Sequence, residues 1–282
     1  MTNRNLPSQF GIWSLGIAAI LLGVTGLVWG DFATNWQRVQ AGVPFREALA
    51  YVVAACELLS GLAIFWRRTA QAGAFFLTIL YAVFALLWIV QIFGAPTVYD
   101  NWGNFFEELS LVIGGAVACT LLAPPDSPWA RRTALVSRLY GICVISFGAE
   151  HFIYFAAASG WVPAWLPPGQ KFWTAATGTL FPMAATAIFS GVMAALATRL
   201  LTIMIIGFEI LVWVPKLAAA PHDHFIWAGN VICIAMAAAA WVVSDAISQT
   251  GKTEGALEAA GAGLRSLDAA AADEGPLNDN LT

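Results

Sequence analysis

The stretch GIWSLGIAAILLGVTGLV, residues 11–28, carries no charged side chain. A helix that crosses the hydrocarbon core of a bilayer needs about 20 mostly apolar residues, because its backbone must satisfy its own hydrogen bonds there. A signal peptide would have a shorter apolar core and a small-residue cleavage site. The stretch is therefore predicted to be an uncleaved first membrane span.

The composition of the whole chain agrees with this prediction. Of 282 residues, 59% are hydrophobic and 11% are charged, and the mean hydropathy is +0.73. About 25% charged residues is usual for a soluble domain. No basic patch with interleaved aromatic residues occurs, so nucleic-acid binding is not predicted. The four cysteines lie within apolar runs and form no CxxC pair, which indicates neither a disulfide framework nor a zinc site.

Seven further apolar runs follow the first. Their ends are marked by charged or helix-breaking residues, such as Arg67-Arg68 and Pro124-Pro125. The sequence therefore predicts an all-α membrane protein with eight transmembrane helices, whose main partner is the lipid bilayer. The predicted spans are residues 11–30, 47–66, 70–93, 105–123, 135–158, 171–197, 200–219 and 225–244.

The basic residues are distributed unequally between the two predicted sides of the membrane. Nine of the thirteen lie on the side of the N-terminus, which the positive-inside rule places in the cytoplasm. An even number of spans puts the C-terminus on the same side. The tail, residues 247–282, is rich in Ala, Gly, Asp and Glu and is predicted to be mostly disordered, with a short helix between Glu254 and Ala272 as an alternative.

An internal repeat divides the predicted spans into four and four. The segment LLGVTGLVWGDF around Gly23 resembles VISFGAEHFIYF around Gly148, and Asp100 pairs with Asp223 in a later segment, at an offset of about 123–125 residues. We expect two parallel four-helix units, residues 1–124 and 125–246, because units with an even number of spans enter the membrane in the same direction. The second unit is the more polar one, and its non-cytoplasmic face is the expected functional face.

Ionisable side chains within spans cost roughly 2.5–3.5 kcal/mol each on insertion scales and are functional candidates for that reason. In the fifth span, His151 is a candidate proton carrier or ligand, and Glu150 shares a helical face with Tyr154. A hydrogen-bonded packing role is the alternative for His151.

The other ionisable candidates in predicted spans are Glu57, Glu107, Glu108, Glu209 and Lys216. Glu209 and Lys216 are seven residues apart in the seventh span, too far for direct pairing, and Lys216 is expected to extend to the interface. Glu57 is predicted to need a polar partner, with Tyr51 as one candidate. Glu108 lies near the start of the fourth span, where the helix dipole favours an anion.

The segment His222-Asp223-His224 precedes the eighth span. Together with His151 on the same side of the membrane, the two histidines are candidates for a three-histidine metal site. The alternative interpretation is a solvated loop in which Asp223 is the N-cap of the eighth helix.

The second unit resembles the DoxX-like family of small four-helix bacterial membrane proteins. The resemblance rests on Gly148-Ala149-Glu150-His151-Phe152 and on the Val162–Pro167 loop, with Cys56–Gly61 as a looser match in the first unit. The segment Cys56–Gly61 contains the acidic residue Glu57. At the aligned position, the second unit has Phe181 and no acidic residue. The resemblance implies the bacterial inner (plasma) membrane and a link to membrane redox processes, with a bound quinone and a redox partner subunit.

The chain contains no catalytic motif and no flavin, haem or iron–sulfur motif, so enzymatic activity of its own is not predicted from the residues. Three functions stay open at this point. The first is a quinone-interacting or accessory component of a redox system. The second is a small-molecule or ion-coupled transporter, which tandem repeats with buried charges also fit. The third is a structural or assembly subunit.

Overall fold

The computed structural model describes residues 9–273, and it describes the side chains of residues 9–251. The described residues form helices and no strand, as the sequence predicts. The helices are α1 (Gln9–Trp29), α2 (Arg46–Ala63), α3 (Ala70–Gly94), α4 (Tyr99–Leu122), α5 (Thr133–Ile153), α6 (Phe155–Trp161), α7 (Gln170–Ser190), α8 (Ala194–Phe208), α9 (Val214–Ala219) and α10 (His224–Asp273). A π-helical turn, Glu209–Trp213, joins α8 to α9.

Six helices of the described residues are long and apolar enough to cross a membrane: α1, α3, α4, α7, the continuous segment Ala194–Ala219, and the first part of α10. The pair α5 and α6 makes a seventh if it is taken as one span, although it bends by 97°. The remaining predicted span corresponds to α2, which contains Arg46, Glu47 and Glu57 within 18 residues. The protein is therefore an all-α chain with several membrane-crossing helices.

The helix starts recur along the chain. The first four long helices begin at Gln9, Arg46, Ala70 and Tyr99, and their counterparts begin at Thr133, Gln170, Ala194 and His224. The separation is 124 residues for the first three pairs and 125 for the fourth. The order of helices in the second half therefore repeats that of the first, at the offset seen in the sequence.

Close helix contacts recur at the same offset. A Cβ atom at Gly23 in α1 would lie 2.7 Å from the backbone nitrogen of Leu58 in α2, and one at Gly148 in α5 would lie 2.8 Å from Cδ of Pro182 in α7. Gly148 follows Gly23 by 125 residues and Pro182 follows Leu58 by 124. A residue without a side chain lets two helices approach closely, so both halves use glycine to pack their first two long helices.

The starts of α4 and α10 share a second feature, a hydrogen bond from a tryptophan indole to a proline carbonyl. The indole nitrogen of Trp102 donates a hydrogen bond to the carbonyl of Pro96 (3.0 Å), and that of Trp227 donates to the carbonyl of Pro221 (2.8 Å). Trp227 follows Trp102 by 125 residues, and Pro221 follows Pro96 by the same number. Each bond ties the connecting segment to the first turn of the helix that follows.

Two breaks differ from the predicted spans. The fifth span, expected to continue to residue 158, bends at Tyr154 and resumes as α6. The boundary between the sixth and seventh spans lies at Ser190–Ala194 instead of residues 197–200. Gly191 has a φ of 77°, the left-handed conformation that ends a helix most readily at glycine, so Arg199 lies inside α8.

The described part of the tail is helical, because α10 continues to Asp273. This differs from the mostly disordered tail that the composition suggests, and it agrees with the alternative of a helix between Glu254 and Ala272. Alanine has the highest helix propensity of all residues, which accounts for a helix in an Ala-rich segment. The last part of the predicted tail, residues 274–282, lies outside the described residues.

Candidate functional site

A cavity of about 670 Å³ opens among α4 to α8, the π-helical turn and the start of α10. A volume of this size is typical of pockets that enclose a small organic molecule. Most of its lining comes from the second half, and the connection between α1 and α2 contributes Asn35 and Trp36. The cavity is therefore the candidate functional site.

Aromatic rings form one wall of the cavity. The ring centroids of Trp36 and Phe225 lie 5.6 Å apart in a stacked arrangement, and those of Trp161 and Trp213 lie 5.2 Å apart. Trp213 also contacts Trp36 edge-on at 6.0 Å. These distances are those of attractive aromatic pairs, so the wall is a connected group of rings.

Two local features position Trp213. It is the last residue of the π-helical turn Glu209–Trp213, whose extra residue rotates the following side chains. Its ring also lies directly on Gly229 of α10, where an added Cβ would come within 2.0 Å of a ring carbon. Gly229 therefore provides the space that this ring requires.

Acidic groups and a tyrosine also line the cavity. The Glu150 carboxylate packs against Gly103 in α4, where an added Cβ would lie 3.1 Å from Oε2. Asp100 lies one turn earlier in α4, and its backbone N–H donates to the Tyr154 hydroxyl at 3.1 Å. The cavity thus joins α4 of the first half to α5 of the second.

The hydrogen bonding of His151 defines which ring nitrogen can meet a ligand. Its Nδ1 lies 2.8 Å from the carbonyl oxygen of Phe147, so Nδ1 carries the hydrogen in this bond. In a neutral ring, Nε2 is then the acceptor. The ring packs between Phe181 (5.2 Å between centroids) and Phe208 (6.0 Å). His151 is therefore both a packed side chain and part of the cavity lining, together with Glu150 and Tyr154.

The structure places the other predicted candidates outside this lining. The Lys216 ammonium lies over the Trp161 ring, 3.9 Å from its centroid, next to the cavity wall. Glu209 is buried beside the Cys233 thiol of α10, and no ion pair joins it to Lys216 among the described residues. Glu57 and Glu108 are buried within the first half, and the partner of Glu57 is Gln37 instead of Tyr51.

The three histidines do not come together. His151 lies in the cavity, His224 stacks on Trp29 with ring centroids 4.8 Å apart, and His222 is exposed. Among the side chains that the structure describes, no group of three or more His, Cys, Asp or Glu residues is arranged to hold a metal ion. The Asp223 carboxylate accepts hydrogen bonds from the backbone N–H groups of Phe225 (2.9 Å) and Ile226 (3.3 Å), which is the N-cap interpretation.

Most lining residues were not among the predicted site residues, and the missed ones include Trp36, Asp100, Trp173 and Trp213. A signal for two of them is present in the repeat. Trp36 and Trp161 are 125 residues apart, and so are Trp88 and Trp213. Tryptophans that recur at the repeat offset mark positions inside the fold, in addition to those that anchor helix ends at the interface.

The fold and the cavity define a class, namely a multi-pass helical membrane protein with a pocket sized for a small molecule. Comparison of the chain with protein-family models, with curated proteins and with solved structures finds no match.

Proposed function

We propose that this protein binds a quinone in the aromatic cavity and serves as a quinone-interacting component of a membrane redox system. The observation that carries the proposal is the combination of a connected group of aromatic rings with His151, Glu150 and Tyr154 in the lining of one cavity. A quinone head group is a flat ring with two oxygens, and both features have a counterpart in the cavity.

The polar groups suit both redox states of such a ligand. The Tyr154 oxygen accepts a hydrogen bond from Asp100, which leaves the Tyr154 hydrogen to donate to a quinone carbonyl. His151 Nε2 and the Glu150 carboxylate accept hydrogen bonds from the hydroxyls of the reduced form. Electrons would be exchanged with a partner subunit, as the DoxX-like resemblance implies.

The test is a titration of the purified protein, in mild detergent, with a short-chain ubiquinone analogue while tryptophan fluorescence is recorded. Saturable quenching is expected, because a quinone in the cavity contacts the rings of Trp36, Trp161 and Trp213. Tyr154→Phe should weaken binding about fivefold to tenfold, the effect of one lost hydrogen bond.

Tyr51→Phe is the matched control, since Tyr51 is an exposed tyrosine in α2 and should bind the quinone as the wild type does. The lipid extract of the purified protein should also contain a quinone in stoichiometric amount. A protein that is quinone-free and shows no saturable quenching would exclude the proposal.

The proposed membrane arrangement has eight spans in two parallel four-helix repeats, with both termini in the cytoplasm of a bacterial inner membrane. In addition to the six helices that are clearly long and apolar enough, it takes α2 and the bent pair α5–α6 as spans. The recurrence of helix starts at 124 and 125 residues supports this count, because α2 and α7 are then equivalent. A reporter that works only in the cytoplasm should be active when it is fused after Asp245, and one that works only outside the cytoplasm should be inactive there.

A second candidate function is a small-molecule carrier. The observation in its favour is the broken helices at the cavity wall: the bend at Tyr154 and the π-helical turn Glu209–Trp213. Discontinuous membrane helices are typical of transporter binding sites. Uptake of labelled tetraethylammonium into proteoliposomes, lost in Glu150→Gln, would support a carrier of organic cations; quinone binding without uptake would not.

A further inference from the structure

A group of ionisable side chains lies inside the first half, apart from the cavity lining. Glu57 on α2, Tyr81 on α3 and Glu108 on α4 are each at most 2% exposed. They are close enough to interact electrostatically, Tyr81 with both carboxyls and the two carboxyls with each other. Three different helices therefore each contribute a buried ionisable side chain to the interior of the first half.

The hydrogen bonds of this group are incomplete. The Gln37 amide nitrogen donates to Glu57 Oε1 (2.5 Å), while the Gln37 amide oxygen accepts from the Ala33 backbone N–H (3.1 Å), which fixes the orientation of the amide. Both carboxyl oxygens of Glu108 and the Tyr81 hydroxyl are buried without a hydrogen-bond partner among the described residues. A buried polar atom without a partner is costly, so these atoms point to something that the side chains alone do not supply.

A proton on the carboxyl pair would supply the hydrogen-bond donor that these buried oxygens lack. An ionised carboxylate only accepts hydrogen bonds, whereas a protonated carboxyl both donates and accepts. Two ionised carboxylates in one buried place also repel each other and lose their hydration. In the part of the chain that the structure describes, the groups that interact with Glu108 are Glu57, Glu107 and Tyr81, all of them acidic. One proton on the pair lowers the charge and provides a donor for an unpartnered oxygen.

A route connects this group to the cavity. Glu107 precedes Glu108 in α4, and its Oε2 accepts a hydrogen bond (2.5 Å) from the indole nitrogen of Trp36, whose ring lines the cavity. Glu107 also interacts electrostatically with Glu150 in the cavity lining. Glu107 is therefore hydrogen-bonded to a residue of the cavity lining, and it interacts electrostatically with both Glu150 and Glu108.

We propose that Glu57, Tyr81 and Glu108 form a buried proton-binding site, which exchanges its proton with the cavity through Glu107. The site holds one proton on the carboxyl pair, and the buried Tyr81 hydroxyl lies within electrostatic range of both carboxyls. This proposal does not depend on which molecule the cavity binds.

Infrared difference spectroscopy of the full-length protein in nanodiscs tests the site directly, because a protonated carboxyl has a C=O stretching band that ionised carboxylates lack. The band is expected in the wild type at neutral pH and should shift in D₂O. Glu108→Gln should remove it, and Tyr81→Phe, which keeps the carboxyl pair but removes the hydroxyl dipole near it, should shift the band without abolishing it. Glu47→Gln, at an exposed position of α2, is the matched control and should leave the band unchanged.

The route is tested by the rate of deuterium exchange of the same band, which Glu107→Gln should slow at least about tenfold without changing the band position. Tyr81→Phe keeps the experiment decisive if Glu108→Gln does not fold. The proposal is overturned if the wild-type band is absent at neutral pH, or if it is unchanged in Tyr81→Phe and Glu108→Gln. It is also overturned if the pair is ionised and its infrared bands respond to Na⁺, since the site would then bind a metal cation.

Discussion

The two halves of the molecule carry tryptophans at equivalent positions but use them differently. In the first half, Trp88 is completely buried and its indole nitrogen donates to the carbonyl of Trp36 at 2.7 Å. Its counterpart Trp213 is half-buried in the cavity wall, where it contacts Trp161, the counterpart of Trp36. Gln37 and Glu57 fill the interior next to Trp36 in the first half. The same arrangement of helices therefore has a filled interior in the first half and an open cavity in the second.

This difference shows how a repeat can acquire a site without a new fold. The helix starts and the glycine contacts are shared by both halves, and they determine how the helices pack. Among the described residues, the second half alone has the π-helical turn, the bend at Tyr154 and the glycine contact at Gly229. These local changes move rings away from the helix axis and leave a volume that a ligand can occupy.

The largest expected effect distinguishes the two tryptophans. Trp88→Ala should destabilise the protein by about 3–5 kcal/mol, because it leaves a large cavity in a closed interior and removes one of the two hydrogen bonds to the Trp36 carbonyl. Trp213→Ala should cost clearly less stability, since its ring is partly exposed already, and should reduce quinone binding. Thermal unfolding in detergent, combined with fluorescence titration, measures both. Equal losses of stability would mean that the two halves are packed alike.

The second largest expected effect concerns the space that Gly229 leaves for the Trp213 ring. Gly229→Leu should lower the affinity for the quinone analogue at least about tenfold, which corresponds to about 1.4 kcal/mol, because the new side chain displaces the Trp213 ring. Gly207→Leu is the control, because an added Cβ at Gly207 meets no atom within 4 Å. Unchanged affinity in Gly229→Leu would show that the ring position does not matter for binding.

A smaller effect tests the connection between the halves. The Tyr99 hydroxyl in α4 lies 2.9 Å from the Ser146 hydroxyl in α5. Tyr99→Phe should reduce the free energy of unfolding by about 1 kcal/mol, the usual contribution of one hydrogen bond. A double-mutant cycle with Ser146→Ala isolates the hydroxyl pair, and additive losses would mean that Tyr99 bonds to the Ser146 carbonyl oxygen, at 3.2 Å, instead of the hydroxyl.

The smallest effect concerns the start of α8. Met193 has a φ of 54°, whereas its counterpart Thr69 before α3 has a φ of −112°. Asparagine tolerates the left-handed conformation better than methionine, so Met193→Asn should raise the stability by a few tenths of a kcal/mol up to about 1 kcal/mol. Val192→Asn is the control, since Val192 is similarly exposed and has no positive φ. Thermal unfolding in detergent compares the two, and an equal change in both would contradict the role of backbone strain.

Much of the fold could be predicted from the pattern of apolar residues. The first span, predicted at 11–30, corresponds to α1 at Gln9–Trp29, and the third, predicted at 70–93, corresponds to α3 at Ala70–Gly94. Apolar length and charged ends specify these helices, because lipid penalises every exposed polar group. The bend at Tyr154 was not predictable in this way, since the apolar run continues through it.

The candidate site was predictable in part. The sequence places Glu150, His151 and Tyr154 within one stretch, and all three line the cavity. Asp100 and Trp36 come from distant segments of the first half, and hydropathy alone does not indicate that they meet Tyr154 and Trp213.

By itself, the sequence determined the helical character of the chain, its repeat of about 124 residues and the list of ionisable residues in apolar segments. These features follow from local composition, because a bilayer selects apolar helices whatever their neighbours are. The tertiary structure decided which of those residues meet. It brought Glu150 to the cavity, Glu57 and Glu108 to one buried place, and His222 away from His151. The physical reason is that helix contacts depend on close packing at particular side chains, such as Gly229 beneath Trp213, and hydropathy does not record that packing.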